Sequence, residues 1–343
     1  MTAGEQRLTE LALIRAVRAR AWPDAGVAIG IGDDAAVLEP TPGRRLVLTT
    51  DLLIEDIHFR RRYTEPADIG WKALAVNLSD VAAMGAAPRW SLVALACPPG
   101  TTMDEVEAFY EGLAALAAEH HVALVGGDTS ASPGGWIVNV TVIGETDGIP
   151  LTRAGARPGN VIAITGDVGR SAAGHAVLER RRAPTGLPAD VLAAVTDAHL
   201  RPRPRVREAR WLAAAGGVTA MIDLSDGLAT DLRHLARESG VGARVDLARL
   251  PVAPTTRLVA RALGRDPLAW AAAGGEDYEL LLACERSAFD RLRIGLAEAT
   301  GTDLTGVGEV VAGEGDVTFV GEDGRAVEVA GGFEHFVTGA RRG

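Results

Sequence analysis

The sequence predicts an α/β (α+β) protein of two domains, and three observations support this. The chain has 343 residues, more than the ~100–200 residues of a typical single domain. Short apolar runs typical of strands alternate with segments of helical periodicity. The pattern restarts after Thr146–Pro158, a stretch rich in Gly, Pro and Arg that is the best linker candidate. We therefore expect domains at 1–148 and 149–343.

The first domain is expected to begin with a helix, because residues 5–21 carry apolar side chains at helical spacing. A Gly/Asp turn follows at Gly30–Asp34, and an apolar strand, Leu46–Thr50, then ends on Asp51. The remaining elements predicted here are helices over Ala67–Met84 and Asp104–His120, and strands over Trp90–Ala96, Val122–Val125 and Trp136–Ile143.

The second domain repeats the alternation of strands and helices. A strand at Val161–Thr165 is followed by helices up to about Ala215. Further expected elements are strands at Thr219–Ile222, Ala243–Leu247, Tyr278–Ala283 and Leu304–Val310, a helix at Gly227–Ser239 and a short β tail.

The charge balance excludes several classes of function. Asp and Glu number 45 against 35 Lys and Arg, for a net charge of −10, which argues against a basic nucleic-acid footprint. Lys72 is the one lysine, and no glycine-rich loop precedes it. A P-loop, which needs a lysine after its glycines, is therefore excluded.

Location is predicted from the absence of targeting signals and of paired cysteines. Cys97 and Cys284 lie far apart in apolar runs, so neither a disulfide scaffold nor a zinc site is expected. Acids and arginines interrupt residues 1–21, unlike a secretory signal. No apolar run approaches the ~20 residues of a membrane span. We expect a cytoplasmic protein without a membrane or nucleic-acid partner.

Six acidic clusters stand beside Gly, Ser or Thr, most of them at the ends of apolar strands. A single Asp beside Gly is usually a turn residue or a helix cap, and Asp226 before Gly227 could simply cap the next helix. Six such clusters are harder to explain in this way. They are Gly30–Asp34, Thr49–Asp51, Asn77–Asp80, Gly126–Thr129, Ile222–Gly227 and Gly274–Tyr278.

Carboxylates gathered from distant positions repel one another unless a cation neutralises them. Mg²⁺ takes oxygen ligands and commonly joins a few carboxylates to substrate phosphates. Glycines beside the acids let the backbone approach a ligand closely. A polyphosphate bound through metal also needs few lysines, which agrees with the composition.

The clusters resemble those of the thiamine-monophosphate kinase family, in the superfamily that also holds aminoimidazole ribonucleotide synthetase and selenophosphate synthetase. The similar segments follow the family order over nearly the whole chain, and the longest of them are specific. They are GIGDDAAVL (Gly30–Leu38), TTDLLIEDIHF (Thr49–Phe59), KALAVNLSDVAAMGAAP (Lys72–Pro88), GGDTS (Gly126–Ser130), LTRAGARPG (Leu151–Gly159), RPRPRV (Arg201–Val206), IDLSDGL (Ile222–Leu228), GGEDYELL (Gly274–Leu281) and GGFEHF (Gly331–Phe336).

The resemblance implies ATP-dependent phosphorylation of thiamine phosphate to thiamine diphosphate by Mg-assisted, direct in-line transfer. It also implies a homodimer in which the N-terminal sheets of two subunits pair, with a C-terminal α/β domain. By matching position, several Mg²⁺ ions would be held by Asp34, Thr49, Thr50, Asp51, Asp80, Asp128, Asp223 and Asp226, with Asp51 and Asp128 the most critical. ATP would contact Tyr110, Gly127, Asp128, Arg153 and Ser225, and thiamine phosphate would contact His58, Glu276 and Phe333.

The residue types agree with this chemistry. The acceptor is already an ionised phosphate oxygen, so no general base is required and no catalytic side chain is assigned. Arg153 offers a bidentate phosphate contact. Phe333 would supply an aromatic face for a cationic or pyrimidine ring, although it could equally be a core phenylalanine.

Two positions depart from the family pattern. Asp56 stands where a small residue, usually glycine, precedes the His-Phe pair, which brings the geometry of the His58 loop into question. Asn160 replaces a more usual aspartate, far from any assigned role.

Sister enzymes are the nearest alternatives. Selenophosphate synthetase should carry a reactive cysteine before the first acidic motif, whereas the first cysteine here is Cys97. Aminoimidazole ribonucleotide synthetase should lack the GGEDYELL and GGFEHF strings. A non-catalytic metal- or nucleotide-binding protein is the alternative of a different class, but a structural Ca²⁺ site would draw its ligands from one short loop.

Overall fold

The computed structural model describes residues 15, 17, 18, 26–180, 182 and 184–332. Most of the helix predicted over residues 5–21, and the proposed substrate contact Phe333, lie outside these residues. The chain divides into two compact units, Met1–Pro150 and Leu151–Gly343, which we call the first and second units. Their boundary falls two residues after the predicted one.

The first unit contains a small hairpin and a mixed four-stranded sheet. The sheet has the order β3-β6-β4-β5, in which β4 and β5 run parallel and the other neighbours antiparallel. Its strands and those of the hairpin, β1 and β2, are β1 (Val27–Ile29), β2 (Val37–Leu38), β3 (Arg45–Ile54), β4 (Ala87–Cys97), β5 (Ala123–Ala131) and β6 (Ile137–Thr146).

Two 18-residue helices, α1 (Pro66–Ala83) and α2 (Met103–His120), pack against each other in this unit, and α1 also contacts β3, β4 and β6. They approach closely because glycines meet backbone at the contact. A Cβ on Gly70 would lie 1.9 Å from the carbonyl oxygen of Phe109, and one on Gly112 would lie 1.8 Å from that of Ala67. Any side chain at either position would force the helices apart.

The second unit is built on a seven-stranded sheet with the order β13-β12-β9-β11-β7-β10-β8 in the described part of the chain. Only the β9–β12 pair within it is parallel. The strands are β7 (Val161–Thr165), β8 (Val218–Asp223), β9 (Gly242–Asp246), β10 (Leu280–Cys284), β11 (Leu304–Val311), β12 (Val317–Val320) and β13 (Ala326–Val327).

Helices in the second unit form two apolar clusters. One buries α6 against the sheet through residues such as Leu228, Leu232 and Leu235, and the other joins α3, α4 and α7 through Ala173, Val195 and similar side chains. The helices are α3 (Arg170–Leu178), α4 (Ala189–Leu200), α5 (Val206–Ala215), α6 (Leu228–Ser239), α7 (Pro254–Leu263), α8 (Pro267–Ala273) and α9 (Phe289–Thr300).

The predicted two-domain α/β architecture is confirmed, but several strand boundaries were wrong. β4 begins three residues before the predicted Trp90, and β6 ends three residues after the predicted Ile143. β3 continues through Asp51 to Ile54, because Leu52–Ile54 keep pairing with β6. Likewise β5 runs through Gly126–Thr129, paired to β4. β10 begins only at Leu280, because Tyr278 has a φ of 51° and cannot join an extended strand.

Candidate active site

Strand alternation divides the acidic motif of β3 between two faces of the sheet. Thr49 and Asp51 lie on the face that carries buried Leu53, whereas Thr50 lies on the exposed face. Adjacent residues of a strand point to opposite faces. The three consecutive residues predicted as metal ligands therefore do not approach a ligand from the same side.

Asp51 and Asp80 face each other across β3 and α1. Burial, and to a smaller extent the neighbouring Asp80 carboxylate, together raise the pKa of Asp51 to about 7. The hydroxyl of Thr49 donates to Asp80 Oδ2 at 2.5 Å. The carboxylates of Asp51 and Asp80 and the hydroxyl of Thr49 thus lie close together, although Asp80 is about 30 residues from the other two in sequence. A bound cation would relieve the repulsion between the two acids.

Thr50 belongs to a polar group on the opposite, exposed face. Its hydroxyl lies 2.9 Å from the hydroxyl of Thr141, and Asn139 Nδ2 donates to Thr50 Oγ1 at 3.0 Å and to the Asp51 carbonyl at 2.9 Å. Sequence reasoning did not identify Asn139, which lies inside a run of apolar strand residues.

Asp128 is exposed at the other edge of the same sheet. It pairs with Ala94, which pairs with Asn139 on β6, so it shares the exposed face with Thr50. Three strand spacings of ~4.8 Å separate β3 from β5, or about 14 Å. Asp51 and Asp128 of one chain are therefore too far apart to hold a single ion.

Gly127 is required by packing within the sheet. A Cβ at this position would lie 1.9 Å from the carbonyl oxygen of Val93 on the adjacent strand β4. This close approach is enough to require glycine at position 127 even if no ligand binds there. The contact of Gly127 with ATP stays a prediction.

Asp34 lies in the exposed loop of the β1–β2 hairpin. Its backbone N–H donates a hydrogen bond to the carboxylate of the preceding residue, Asp33, at 2.9 Å.

Tyr110 of α2 is 4% exposed and packs edge-on against Phe109 at 5.0 Å between ring centroids. Burial raises the pKa of Tyr110. Its assigned role in binding ATP also stays a prediction.

The His58 loop follows β3 and contains a strained residue. Asp56 has a φ of 65°, in the left-handed region that favours glycine. The Ile54 N–H donates to His58 Nδ1 at 3.0 Å, which places the proton of the neutral ring on Nε2. Lys72, only 2% exposed, donates to the His58 carbonyl at 3.5 Å beneath the loop.

A second acidic group lies where β8 turns into α6. Asp223 is the buried last residue of β8, and Asp226 precedes the N-cap residue Gly227. The backbone N–H groups of Asp226 and Gly227 both donate to Asp231 Oδ2, at 3.1 and 3.0 Å. Burial and the charges of Asp223 and Asp226 raise the pKa of Asp231 to about 8.

The N-cap residue of α6 is Gly227 rather than Asp226, and the two backbone hydrogen bonds identify Asp231 as a buried residue that organises the turn. Sequence reasoning missed it, because its only signal is its position on the first turn of an amphipathic helix.

The GGEDYELL segment forms a constrained loop before β10. Glu276 and Tyr278 have positive φ values of 66° and 51°. Their backbone N–H groups donate to the carbonyls of Ser225 and Leu224, at 2.8 and 2.9 Å, which ties the loop to the end of β8. A strained segment held from outside is typical of functional sites.

Two further acids anchor this loop. Asp277 accepts from the backbone N–H groups of Gly169 and Ser171, at 2.6 and 3.0 Å, and burial raises its pKa to about 7. Glu279 accepts from Arg205 through both carboxylate oxygens and from the Thr165 hydroxyl at 2.7 Å. None of Asp277, Glu279 and Arg205 was assigned a role from the sequence, although all three lie in family-like motifs.

Arg153 is exposed in the segment that precedes β7, and its carbonyl accepts from the Ser239 hydroxyl at 2.9 Å. Asn160 is buried, and its Oδ1 accepts from the Arg157 N–H at 2.9 Å and from the Thr219 hydroxyl at 2.7 Å. An aspartate oxygen would accept the same two bonds, so this departure from the family pattern leaves the local structure unchanged.

The arrangement as a whole fits an oxygen-preferring cation better than any other metal. The acids that lie together are aspartates with hydroxyl neighbours, which suit Mg²⁺. Within the described residues, no group of three or more His, Cys, Asp or Glu side chains is placed to hold a metal by itself. Substrate oxygens would have to complete the coordination, as they usually do for Mg²⁺.

The described helices also include none long and apolar enough to cross a membrane.

Comparisons with known proteins agree over both units. Residues 32–146 match the family model of the AIR synthase related protein, N-terminal domain, and residues 157–321 match the corresponding C-terminal domain. The thiamine-monophosphate kinase of Bacillus subtilis (strain 168) is 38% identical over 278 residues, covering 80% of this chain and 82% of that protein.

Solved structures give the same result. The crystal structure of thiamine-monophosphate kinase from Stenotrophomonas maltophilia K279a is 38% identical, with a TM-score of 0.81 over 94% of this chain and 99% of that one. A structure described as AaThiL complexed with AMPPCP and TMP is 33% identical, with a TM-score of 0.76 over 87% and 89% of the two chains.

Proposed function

Because the chain belongs to the AIR synthase related family and, within it, to the thiamine-monophosphate kinases, we propose that it phosphorylates thiamine phosphate to thiamine diphosphate with ATP. The observation that carries this proposal is the 38% identity over most of the chain to proteins of that one activity. The constrained loops around His58 and Glu276, which coincide with the family motifs, support it.

Direct in-line transfer suits the residues present. The acceptor phosphate oxygen of thiamine phosphate is already ionised, so the chain has only to position two anions and offset their repulsion. Lysine is not available for this, because Lys72 is buried beneath the His58 loop. Arg153 is exposed and can form a bidentate phosphate contact.

Several Mg²⁺ ions are proposed to bind with the substrates. Bound Mg²⁺ would supply positive charge that neutralises the phosphates and orients them. In the first unit Thr49, Asp51 and Asp80 would hold it on one face of the sheet, whereas Thr50 and Asp128 lie on the other face. The remaining proposed ligands are Asp34, Asp223 and Asp226.

Nucleotide and substrate contacts are proposed in each unit. In the first unit Tyr110, Gly127 and Asp128 would contact ATP and His58 would contact thiamine phosphate through Nε2. In the second unit Arg153 and Ser225 would contact ATP, and Glu276 would contact thiamine phosphate. Phe333 stays a proposed substrate contact without a described position.

A homodimer is proposed because β3 is an edge strand with an exposed apolar face. Leu46, Leu48 and Leu52 are 46, 63 and 48% exposed on alternate residues of this strand. An uncovered apolar edge is an aggregation hazard that a second copy would remove. We also propose a cytoplasmic location, with which the free, buried Cys97 and Cys284 agree.

The decisive experiment incubates the protein with ATP, Mg²⁺ and thiamine phosphate and measures thiamine diphosphate by chromatography. We expect product formation that stops with EDTA and returns with Mg²⁺. ADP release only with another acceptor would move the activity to a sister enzyme, and turnover that survives full chelation would refute the metal proposal.

Matched variants test the ligand assignment. Asp51→Asn and Asp128→Asn should abolish turnover without loss of folding, because each removes metal-binding charge. Asp147→Asn is the control. The side chain of Asp147 is 84% exposed, and among the ion pairs described it takes part only in a long one of 4.0 Å with Arg44. Full activity in the Asp51/Asp128 double variant would overturn the assignment.

A further inference from the structure

The buried side chain of His199 lies against the loop of the second unit that carries Glu276. His199 is 5% exposed on the last turn of α4, and its Nδ1 lies 3.3 Å from Glu276 Oε2. The same Nδ1 lies 3.1 Å from the hydroxyl of Ser171 on α3. Neither His199 nor Ser171 has a part in the proposed chemistry.

A glycine makes this contact possible. A Cβ on Gly174 of α3 would lie 2.0 Å from the carbonyl oxygen of Val195 and 3.1 Å from the Cβ of His199. Without that side chain α3 and α4 approach closely enough for the imidazole to reach Ser171, one turn earlier on α3. The approach of the two helices thus fixes where the ring stands.

The first turn of α3 holds the loop from two sides. The Ser171 backbone N–H donates to Asp277, and its hydroxyl contacts His199, which in turn contacts Glu276. Consecutive loop residues are therefore secured through one residue of α3. Glu276 needs such support because its φ of 66° is a strained conformation for a residue with a side chain.

The chemistry of the contact assigns its donor. An ionised carboxylate only accepts hydrogen bonds, so Nδ1 carries the ring proton in the arrangement that we propose, and the Ser171 hydroxyl oxygen is then a second acceptor of the same N–H. A donor to one carboxylate oxygen fixes the plane of the carboxylate and so aims its second oxygen. Ring orientation is secured in turn by Ser171 and by the ring of His175, whose centroid lies 5.1 Å away.

We propose that His199 is a positioning residue that holds the Glu276 carboxylate in the orientation required to bind thiamine phosphate. The proposal rests on the proposed function and adds a residue that acts only through Glu276. His199 does not touch the reacting phosphates in this proposal, so its loss should weaken acceptor binding and leave ATP binding intact.

The test compares four variants by their KM values for thiamine phosphate and for ATP. His199→Leu and His199→Gln should raise the KM for thiamine phosphate about tenfold, the effect of losing one charge-assisted hydrogen bond. His199→Asn should stay within about twofold of the wild type, because its amide nitrogen occupies the place of Nδ1. The exposed His234 provides the control variant His234→Asn.

A double variant separates positioning from a general structural role. If His199 acts through Glu276, then adding His199→Leu to Glu276→Gln should produce no further rise in KM. Three outcomes would each overturn the inference while leaving the proposed function intact. The effects of His199→Leu and Glu276→Gln on the KM for thiamine phosphate could multiply in the double variant, the KM for ATP could rise equally, or His199→Asn could fail to keep the wild-type KM. A wild-type chain without turnover of thiamine phosphate would refute the proposed function itself.

Discussion

Replacing Arg205 by methionine should destabilise the second unit strongly, because it removes the ion-pair partner of the buried Glu279 carboxylate. The Arg205 and Glu279 side chains are 24 and 6% exposed, and the guanidinium donates to both oxygens of Glu279. It also lies 3.6 Å from Glu208, another buried acid. Breaking a buried pair by removing one partner costs about 3–5 kcal/mol.

Hydrogen–deuterium exchange measures this loss where it occurs. The β10 amides, which open with the sheet, should exchange about 10²- to 4 × 10³-fold faster in Arg205→Met, since 1.4 kcal/mol corresponds to a factor of about 10. Peptides from β3 and β6 in the first unit should be unchanged. The Arg205→Met/Glu279→Met double variant should recover most of the loss, because it leaves no unpaired charge at Glu279.

A surface pair provides the control. Arg286 lies 3.4 Å from Glu309, with side chains 64 and 46% exposed, and exposed pairs contribute only about 0–1 kcal/mol. Arg286→Met should therefore change exchange by less than about fivefold. The reasoning fails if Arg205→Met resembles Arg286→Met, or if the double variant is no more stable than the single one.

Three further predictions concern stability. Asp56→Gly should raise the free energy of unfolding by about 0.5–1 kcal/mol by relieving the left-handed strain at Asp56; a lower thermal midpoint would contradict this. Gly112→Ala should lower the thermal midpoint by forcing α1 and α2 apart, whereas Gly134→Ala, where the new Cβ meets open space, should not; equal midpoints would refute the packing argument. In EDTA, denaturant unfolding should show greater stability at pH 6 than at pH 8. Asp231 and Asp277 keep their protons in the folded state up to pKa values of about 8 and 7, above the usual 3.8. The unfolded chain has released these protons above about pH 4, so stability falls as pH rises through this window, by up to about 1.4 kcal/mol per pH unit for each carboxyl. Greater stability at pH 8 would refute it.

The element pattern was predictable because burial sets it locally. Nearly every side chain of α1 is buried, and the capping box of Thr102 and Glu105 starts α2 where the sequence indicates. The strands extended further than predicted where polar residues continue the pairing, as Asp51 does in β3 and Asp128 in β5.

The candidate site was harder to predict, because its support comes from residues distant in sequence. The pairing of Asp51 with Asp80 and the grouping of Asp223 with Asp226 agree with the acidic motifs. Which face of the sheet each acid occupies depends on strand register, and this separates Asp51 from Asp128. Contacts such as His199 with Glu276 depend on how two helices approach at a glycine, which no local pattern reveals.

Because Lys72 is buried, its chemical labelling can measure local opening of the first unit. An amine-reactive reagent finds one lysine side chain, and that side chain is 2% exposed in the folded first unit. Labelling at Lys72 must therefore wait until α1 separates from the loop above it. The rate of modification, read by mass spectrometry against the unfolded protein, would give the free energy of that opening directly, and ligands that close the His58 loop should slow it.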